Sequence, residues 1–310
     1  MNRIMLGVAV LCACTSISKT VPPLRLSGGT VHRMHDFPSR FIQPRNIDIW
    51  LPDDYNTSEA HNVLYMHDGQ MLFDSTTTWN GQEWGVDEVL IQLMGDQLIG
   101  KTLVVGIWSV SANRHADYFP QKPFLMLPQD YRDSLVNEAM RDEQTPLFST
   151  DVQSDAYLRY IVQEIKPYVD ANYATHPTRD HTFIAGSSMG GLISLYAICE
   201  YPRIFGGAAC LSTHWPGTFQ TDDNPIPQKF ADYLQRHLPD PAHHKFYFDY
   251  GTKTLDALYE PYQKQIDEVM VRNGYNASNW KTLKFRGADH SENAWRKRLH
   301  IPITFLLGDE

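Results

Sequence analysis

The stretch IAGSSMGGL, residues Ile184 to Leu192, decides how the rest of the chain is interpreted. It follows the apolar run HTFI and leads into the helical pattern LISLYAICEYP. An apolar run, a glycine-rich turn and a helical period predict a strand, a tight turn and a helix. Within the turn, Gly186 to Gly190 fits the spacing G-x-S-x-G. That spacing also occurs by chance, so partners elsewhere in the chain must support it.

The serine at the centre of this spacing is predicted to be a nucleophile. A strand–turn–helix context lifts the side chain of Ser188 above the sheet, and the two flanking glycines let strand and helix pack closely. The backbone amide of Met189, at the start of the helix, would then face a developing oxyanion. Ser187 would point away from the site and is interpreted as structural.

A nucleophilic serine needs a base and a group that orients the base. The base is predicted to be His290, in the loop RGADHSENAW beyond the last apolar strand. His300 falls within the terminal helical pattern and is interpreted as a packing or surface residue. Two acids remain open: Asp249, within or at the end of the strand KFYFDYG, and Asp256, after a short glycine loop. Asp256 is favoured because an orienting acid is usually placed in the loop after the strand; the alternatives are Asp249 as the acid and Asp256 as a helix N-terminal residue.

A second oxyanion donor is expected from the loop MHDGQMLFD. Gly69 would allow the backbone to approach a ligand, and the amide of Gln70 is the candidate donor. His67 and Asp68 on the same turn have no further partners with metal-ligand spacing. We therefore predict neither a metal site nor a cofactor.

Short apolar runs alternate with helical periods over the rest of the chain. This alternation predicts a single α/β domain over residues 30–310, a doubly wound and mostly parallel sheet of about eight strands. The predicted strands are RNIDIWLP, NVLYMHDG, TLVVGIW, HTFIAGS, GAACLSTHW, KFYFDYG and WKTLKFRG. The main predicted helices are WGVDEVLIQLM, AYLRYIVQEIKPYVDANY, MGGLISLYAICEYP, LDALYEPYQKQIDEVMVRNG and SENAWRKRLHIPITFLL.

One long segment, residues 109–151, has no clear period and is predicted to be a lid or binding loop. Arg114 within it could hold a carboxylate or phosphate, or could simply pair with a nearby acid. Trp108 and Trp215 follow predicted strands at the end where such sheets bind ligands, and both are candidate substrate contacts.

Composition excludes some partners. The formal charge of −9 over 310 residues argues against nucleic acid, which requires clustered Lys and Arg. Two of the four cysteines, Cys199 and Cys210, lie in apolar runs and are expected to be buried and unpaired.

The N-terminus MNRIMLGVAVLCACTS has an early Arg, a short apolar core and then small residues, which predicts an export signal over residues 1–14. Leu11-Cys12-Ala13-Cys14 resembles a bacterial lipobox, which would make Cys14 a lipid anchor. The alternative is plain cleavage near Ala13. We therefore expect an exported protein, either periplasmic or an outer-membrane lipoprotein, with a linker over residues 15–29.

Six blocks of the sequence carry a family resemblance: LYMHDGQMLFD, WGVDEVL, GIWSVSANRHADYFPQ, FIAGSSMGGLISLYAICEYPRIFGGAACLS, DYGTKTLDALYEPYQ and GADHSENAWRKRL. In this order they resemble the putative esterase family of the α/β-hydrolase fold, which includes esterase D-like, enterochelin, feruloyl and acetylxylan esterases and the mycolyltransferases. The resemblance implies a serine esterase without a cofactor, acting on a carbohydrate-linked, phenolic or siderophore-type ester. It implies Ser188 as nucleophile, His290 as base, and Gln70 with Met189 as oxyanion hole.

Two alternatives to a hydrolase remain open from the sequence. An acyl-enzyme could be intercepted by a sugar hydroxyl instead of water, which would make the protein an acyltransferase. A surface lipoprotein could also keep the fold and bind a ligand without turnover.

Overall fold

The computed structural model describes residues 24–308, and an eight-stranded sheet forms its centre. Along the sheet the strands lie in the order β1-β2-β4-β3-β5-β6-β7-β8. The six strands from β4 to β8 are parallel, and β2 runs antiparallel to both β1 and β4. The strands are Thr30–Phe37 (β1), Arg45–Leu51 (β2), Asn62–His67 (β3), Thr102–Ile107 (β4), Thr182–Ser187 (β5), Gly207–Leu211 (β6), Lys245–Tyr250 (β7) and Trp280–Lys284 (β8).

Helices cover both faces of the sheet. They are Val86–Gly95 (α1), Arg114–Tyr118 (α2), Gln121–Leu125 (α3), Gln129–Glu138 (α4), Ser154–Tyr160 (α5), Lys166–Asn172 (α6), Met189–Glu200 (α7), Ile226–His237 (α8), Glu260–Arg272 (α9), Glu292–Arg296 (α10) and His300–Leu307 (α11). A π-helical stretch, Ile161–Ile165, joins α5 to α6. The prediction of a doubly wound α/β sheet of about eight strands is confirmed.

The central strands β3 to β7 are mostly apolar because both of their faces pack against helices. On β3, Val63 and Tyr65 belong to the core beneath α5 to α9, whereas Leu64 and Met66 belong to the core beneath α1 and α11. This alternation is the period of two that a strand imposes on its side chains. The sheet is therefore held between two apolar layers.

Strand order fixes where a ligand site can form. The chain passes from β3 outward to β4 and then returns to β5, so the direction of winding reverses between β3 and β5. Loops that leave the carboxyl ends of strands at such a switch point diverge and leave a crevice. The two loops at this point carry Gln70 and Ser188.

The structure differs from the sequence prediction in several elements. The edge strand β1 was missed because it is largely exposed and has no apolar run. The segment 109–151 contains three helices, α2 to α4, two of which have five residues and are too short to show a period. Helix α8 was missed within a stretch that opens with Pro and Asp residues, and the predicted terminal helix is divided into α10 and α11.

Some predictions concern residues outside the described range. The export signal over residues 1–14, the lipid anchor at Cys14 and the first part of the linker 15–29 lie there, and they stay predictions. Within residues 24–308, no helix is long and apolar enough to cross a bilayer. Cys199 and Cys210 are both buried and unpaired.

Candidate active site

Ser188 occupies a strained turn between β5 and α7. Its backbone has φ 59° and ψ −123°, a conformation that costs energy for a residue with a side chain. The Ser188 amide donates to the carbonyl of Leu211 (2.9 Å), which ties the turn to the end of β6. The turn lifts the side chain off the sheet, as the G-x-S-x-G spacing predicts.

The first glycine of the motif, Gly186, is required by a close backbone contact. A Cβ added at Gly186 would lie 2.7 Å from the carbonyl oxygen of Gly190, so strand and helix touch backbone to backbone. A Cβ at Gly190 would lie 3.5 Å from both the Asp68 carboxylate and the Cβ of His67. The loop after β3 therefore packs directly against the start of α7.

The side chains of His290 and Asp256 are hydrogen-bonded to each other. The Asp256 Oδ1 lies 2.6 Å from His290 Nδ1, and its other oxygen accepts from Ser212 Oγ (2.6 Å) and the Gly251 amide (2.5 Å). Burial by itself would raise the pKa of Asp256, but the hydrogen bond and charge of His290, together with Ser212 and Gly251, hold that pKa below its usual value. The carboxylate is therefore ionised and can orient the imidazole.

Two loops are joined to bring this pair together. The amides of Thr252 and Lys253 donate to the carbonyl of Ala288, and the amide of His290 donates to Thr254 Oγ1 (2.8 Å). Thr254 has φ 54°, in the left-handed region, and begins the short 3₁₀ helix that carries Asp256. The loop after β7 and the loop after β8 thus form one unit.

Asp249 has a different partner. It forms a buried, two-pronged ion pair with Arg298 (2.8 and 3.0 Å) and accepts from Tyr247. Burial raises the pKa of Asp249, and Arg298 offsets part of that rise. The structure therefore places Asp256, not Asp249, against His290.

Asp249 still supports the site indirectly through Ser212. Arg298 donates to Ser212 Oγ (3.0 Å), and so does the indole nitrogen of Trp295 (2.9 Å). Because both are donors, the Ser212 hydroxyl directs its own hydrogen to Asp256. A second layer of hydrogen bonds thereby fixes the carboxylate that holds His290.

The two predicted oxyanion amides lie at the crevice. Gln70 is in the short 3₁₀ helix Gly69–Met71, and its side chain is held by Ser109 (2.8 Å). Gly69 packs against β4, where an added Cβ would lie 2.5 Å from the carbonyl carbon of Gly106. Within residues 24–308, neither the Gln70 amide nor the Met189 amide has an acceptor, so both can donate to a ligand.

Arg114 lies beside this loop but is already paired. Its guanidinium donates two hydrogen bonds of 2.7 Å to the carboxylate of Asp68. Burial opposes the charges of Asp68 and Arg114, but their pairing lowers the pKa of Asp68 and raises that of Arg114. Of the two interpretations of Arg114, the structure shows the one in which it pairs with a nearby acid.

His67, Trp108 and Trp215 each have a hydrogen-bond partner within the protein. His67 is buried, bonds to the Tyr157 hydroxyl (2.7 Å) and has its pKa lowered by burial to about 3. Trp215 is 1% exposed and belongs to the core, where its indole donates to Gln263. Trp108 donates to Asp48 on β2, on the far side of β4 and β3 from Ser188. The expectation that Trp108 and Trp215 contact substrate is not supported by these positions.

Two residues beside Ser188 were not predicted from the sequence. The Tyr259 hydroxyl is hydrogen-bonded to His214 Nδ1 at 2.8 Å, and the amide of His214 donates to the carbonyl of Ser188 (3.2 Å). The Tyr259 ring also packs edge-on against His290, with centroids 5.9 Å apart. Tyr259 thus lies beside His290. The described residues contain no direct hydrogen bond between Ser188 and His290, a bond that commonly tightens only when substrate binds.

No group of three metal-ligating side chains occurs in the part of the chain that the structure describes. What the geometry offers is a serine on a strained turn, an oriented imidazole and two free amides at one crevice. These are the components of acyl transfer.

Comparison with known proteins agrees with this chemistry. The family model described as "Putative esterase" matches residues 39–302, which is most of the chain. The protein belongs to this esterase family. Its activity class is therefore carboxylic ester hydrolysis.

The esterase has a sequence relative of low identity and resembles solved structures in its fold. It is 19% identical over 228 residues to the uncharacterized protein YjcH of Bacillus subtilis, covering 74% of this chain and 75% of YjcH. It superimposes on the ferulic acid esterase AmCE1/Fae1A of Anaeromyces mucronatus with a TM-score of 0.61 at 17% identity, covering 90% of this chain and 91% of the other. An IroE-like serine hydrolase from Shewanella oneidensis gives a TM-score of 0.64 at 16% identity, covering 89% and 80%.

Proposed function

We propose that this esterase hydrolyses its substrate through an acyl-enzyme on Ser188, with His290 as base and Asp256 as the orienting acid. The observation that carries the proposal is the Asp256–His290 pair (2.6 Å) at the same crevice as a serine on a strained turn. We assign the role of each residue from its position at the crevice and its chemistry.

In the first half of the reaction, the Oγ of Ser188 attacks the ester carbonyl carbon and its proton passes to His290 Nε2. The carbonyl oxygen becomes an oxyanion, to which the amides of Gln70 and Met189 donate. The tetrahedral intermediate collapses, the bond to the leaving alcohol breaks, and His290 gives that alcohol its proton. Ionised Asp256 stabilises the imidazolium that forms between these two steps.

In the second half, His290 removes a proton from water as the water attacks the acyl carbon. The same amides hold the second oxyanion. Collapse releases the carboxylic acid and returns the proton to Ser188. No step requires a group beyond the chain, the ester and water.

For substrate, we propose an ester of a phenolic acid, a carbohydrate or a siderophore-type lactone. Support comes from the solved relatives, which include a ferulic acid esterase and an enterobactin esterase. Because Arg114 is neutralised by Asp68, an anionic group on the substrate is not a requirement of the proposal.

The test is hydrolysis of an aryl ester panel, from acetyl to feruloyl, by the full chain and by Ser188→Ala. Ser187→Ala is a matched control, since Ser187 is the adjacent buried serine at the end of β5. We expect turnover to fall by about 10⁴-fold or more in Ser188→Ala and by less than about threefold in Ser187→Ala. Folded Ser188→Ala protein that retains its turnover would refute the mechanism. Transfer of the acyl group to an added sugar would instead indicate an acyltransferase.

A further inference from the structure

Residues 75–83 form a loop, the Trp79 loop, that exposes a large aromatic side chain. Trp79 is 84% exposed, whereas each of the other six tryptophans is buried or half-buried. Burial of an indole is strongly favourable, so most tryptophans lie in a core or at an interface. Within residues 24–308 the Trp79 indole has no hydrogen-bond or ring partner. It is therefore available to a ligand.

The Trp79 loop is held in one conformation by its own hydrogen bonds. The Ser75 amide donates to the Glu83 carboxylate (2.6 Å), which joins the two ends of the loop. The amide and hydroxyl of Thr76 both donate to the Asp74 carboxylate (2.9 and 2.6 Å). An aromatic ring on such an ordered backbone loses little conformational entropy when a ligand stacks on it.

Two hydrogen bonds attach the Trp79 loop to α10, directly after the proposed base. The Asn80 side chain donates to the Glu292 carboxylate (2.9 Å). The Gln82 side-chain oxygen accepts from the amide of Asn293 (3.2 Å). Glu292 is the first residue of α10 and lies two positions after His290. The loop therefore lies beside the segment that carries His290.

Aromatic packing makes the same connection beneath the loop. Trp84, which follows the loop directly, packs against Trp295 with ring centroids 5.3 Å apart. Trp295 in turn packs edge-on against His290, with centroids 5.0 Å apart. Both indoles are buried. Contacts at its surface and in the core thus fix the Trp79 loop relative to His290.

His290 marks the side of the crevice from which the alcohol departs. In the proposed mechanism it gives its proton to that alcohol, so the ester oxygen must come within hydrogen-bond reach of His290 Nε2. The acyl group stays on Ser188, where the amides of Gln70 and Met189 hold its carbonyl oxygen. The rest of the alcohol is therefore held nearest to the neighbours of His290, which include the Trp79 loop.

We propose that the Trp79 loop binds the alcohol part of the ester and that this alcohol is a carbohydrate whose ring stacks on Trp79. A sugar ring has an apolar C–H face, which matches the flat indole, and hydroxyl groups at its edge. The inference rests on the proposed function, because it selects the alcohol of the same ester and uses His290 as its proton donor.

Polar groups suited to sugar hydroxyls lie next to Trp79. The Gln82 side-chain nitrogen has no acceptor among residues 24–308, so it can donate to a hydroxyl. The Glu292 carboxylate accepts one hydrogen bond from Asn80 and has lone pairs left for a hydroxyl donor. An aromatic face with a donor and an acceptor at its edge fits a sugar better than a purely apolar alcohol.

The test compares two esters that share an acyl group, methyl ferulate and feruloyl-arabinose, with the full chain. If the aryl ester panel shows that only acetyl is accepted, methyl acetate and acetylated xylobiose replace them. We expect Trp79→Ala to lower kcat/KM for the sugar ester by about five- to tenfold, the value of one aromatic contact. The methyl ester should change by less than about twofold. The loss should lie mainly in KM, because stacking holds the substrate before the reaction as well as during it.

Two further variants serve as controls. Trp79→Tyr keeps an aromatic face and should retain most of the activity on the sugar ester. Val271→Ala removes a different exposed apolar side chain, on α9, and should leave both esters unchanged. Because Trp79 is so exposed, its replacement should not lower the free energy of unfolding, which urea unfolding checks.

Three results would overturn the proposal. They are an equal loss for both esters in Trp79→Ala, no loss for the sugar ester, and a wild-type protein that hydrolyses aryl esters but not the sugar ester. Failure of the serine mechanism is a separate result, since turnover of the aryl esters would then persist in folded Ser188→Ala.

Discussion

Two histidines flank Ser188, and they differ in every property that decides reactivity. His290 is partly accessible, with 12% of its side chain exposed, and it is bonded to an ionised carboxylate. His214 is buried and bonded to a neutral phenol, and burial lowers its pKa to about 3. One histidine can exchange a proton with substrate, and the other can only hold a neighbour in place.

The difference shows that proximity to a nucleophile does not make a histidine a base. A carboxylate partner stabilises the imidazolium that forms during the reaction, whereas burial without a charge penalises it. Asp256 supplies that carboxylate on one side of Ser188, and Tyr259 takes its place on the other. The proposed proton transfer therefore belongs to the His290 side, and His214 instead holds Tyr259.

Removing the imidazole of His290 or of His214 gives the strongest test of the difference between the two histidines. We expect His290→Ala to lower kcat by about 10⁴-fold or more, because the base is lost. His214→Leu should lower it by less than about tenfold, because one hydrogen bond is weakened. Steady-state hydrolysis of an aryl ester by both folded variants provides the measurement. Similar losses in the two would contradict the division of tasks.

The next largest effect should distinguish the two aspartates near β7. Asp256→Asn removes the charge that orients His290 and should lower kcat by about 10³-fold or more. Asp249→Asn leaves Arg298 buried without its ion pair and should lower the free energy of unfolding by about 3 kcal/mol. Its activity per folded molecule should fall less than tenfold. Turnover and urea unfolding are measured for each variant. A large loss of turnover in Asp249→Asn, with little loss in Asp256→Asn, would show that the acid is Asp249.

The burial of His214 predicts a dependence of stability on pH. Below pH about 6.5 the unfolded chain protonates this histidine, whereas burial keeps the folded form neutral down to a pKa of about 3. Unfolding then takes up a proton, so stability is lost as pH falls from about 6.5 toward 3. At pH 4.5 this amounts to about 2–3 kcal/mol for one buried imidazole.

The control for this prediction must leave the other buried histidines in place. Urea unfolding at pH 7 and pH 4.5 should show a smaller loss of stability in His214→Asn than in the wild type. His300→Asn, which replaces an exposed histidine, should behave as the wild type. Burial also lowers the pKa values of His67 and His115, and their contributions remain in all three proteins. Equal losses in all three would contradict a neutral, buried His214.

The smallest expected effect concerns Trp295, which donates a hydrogen bond to the Ser212 hydroxyl that holds Asp256. Trp295→Phe keeps the ring beside His290 but removes the indole donor to Ser212. Because Arg298 still donates to the same hydroxyl, we expect kcat to fall by only about two- to fivefold. Trp280→Phe, on the edge strand β8, is the control and should leave kcat unchanged. A loss as large as that of Asp256→Asn would mean that Trp295 does more than support Ser212.

Part of the site was predictable because its requirements are local. The turn around Ser188 needs glycines two residues away on either side, and the structure shows the contact that requires Gly186. The pairing of Asp256 with His290 was only favoured over the alternative. Asp249 lies near the end of β7 and Asp256 in the loop after it. The partner of Asp249 is Arg298, forty-nine positions further along the chain.

Other parts could not be predicted because burial is not a local property. Trp215 follows a strand at the ligand-binding end, yet it packs into the core. Tyr259 lies within the pattern of a predicted helix, and His214 lies at the end of a predicted strand. Nothing in either segment indicates that the other touches it or that both lie beside Ser188.

The sequence by itself determined the sheet's alternation of strands and helices, the position of the strained serine and the loops that would carry its partners. These features depend on spacing between neighbouring residues, which limits backbone conformation directly. Tertiary structure decided which acid is bonded to His290, that Arg114 is neutralised by Asp68, and that Tyr259 pairs with His214. Those outcomes depend on how loops distant in the chain pack together, because packing sets both the partner and the burial of each charge.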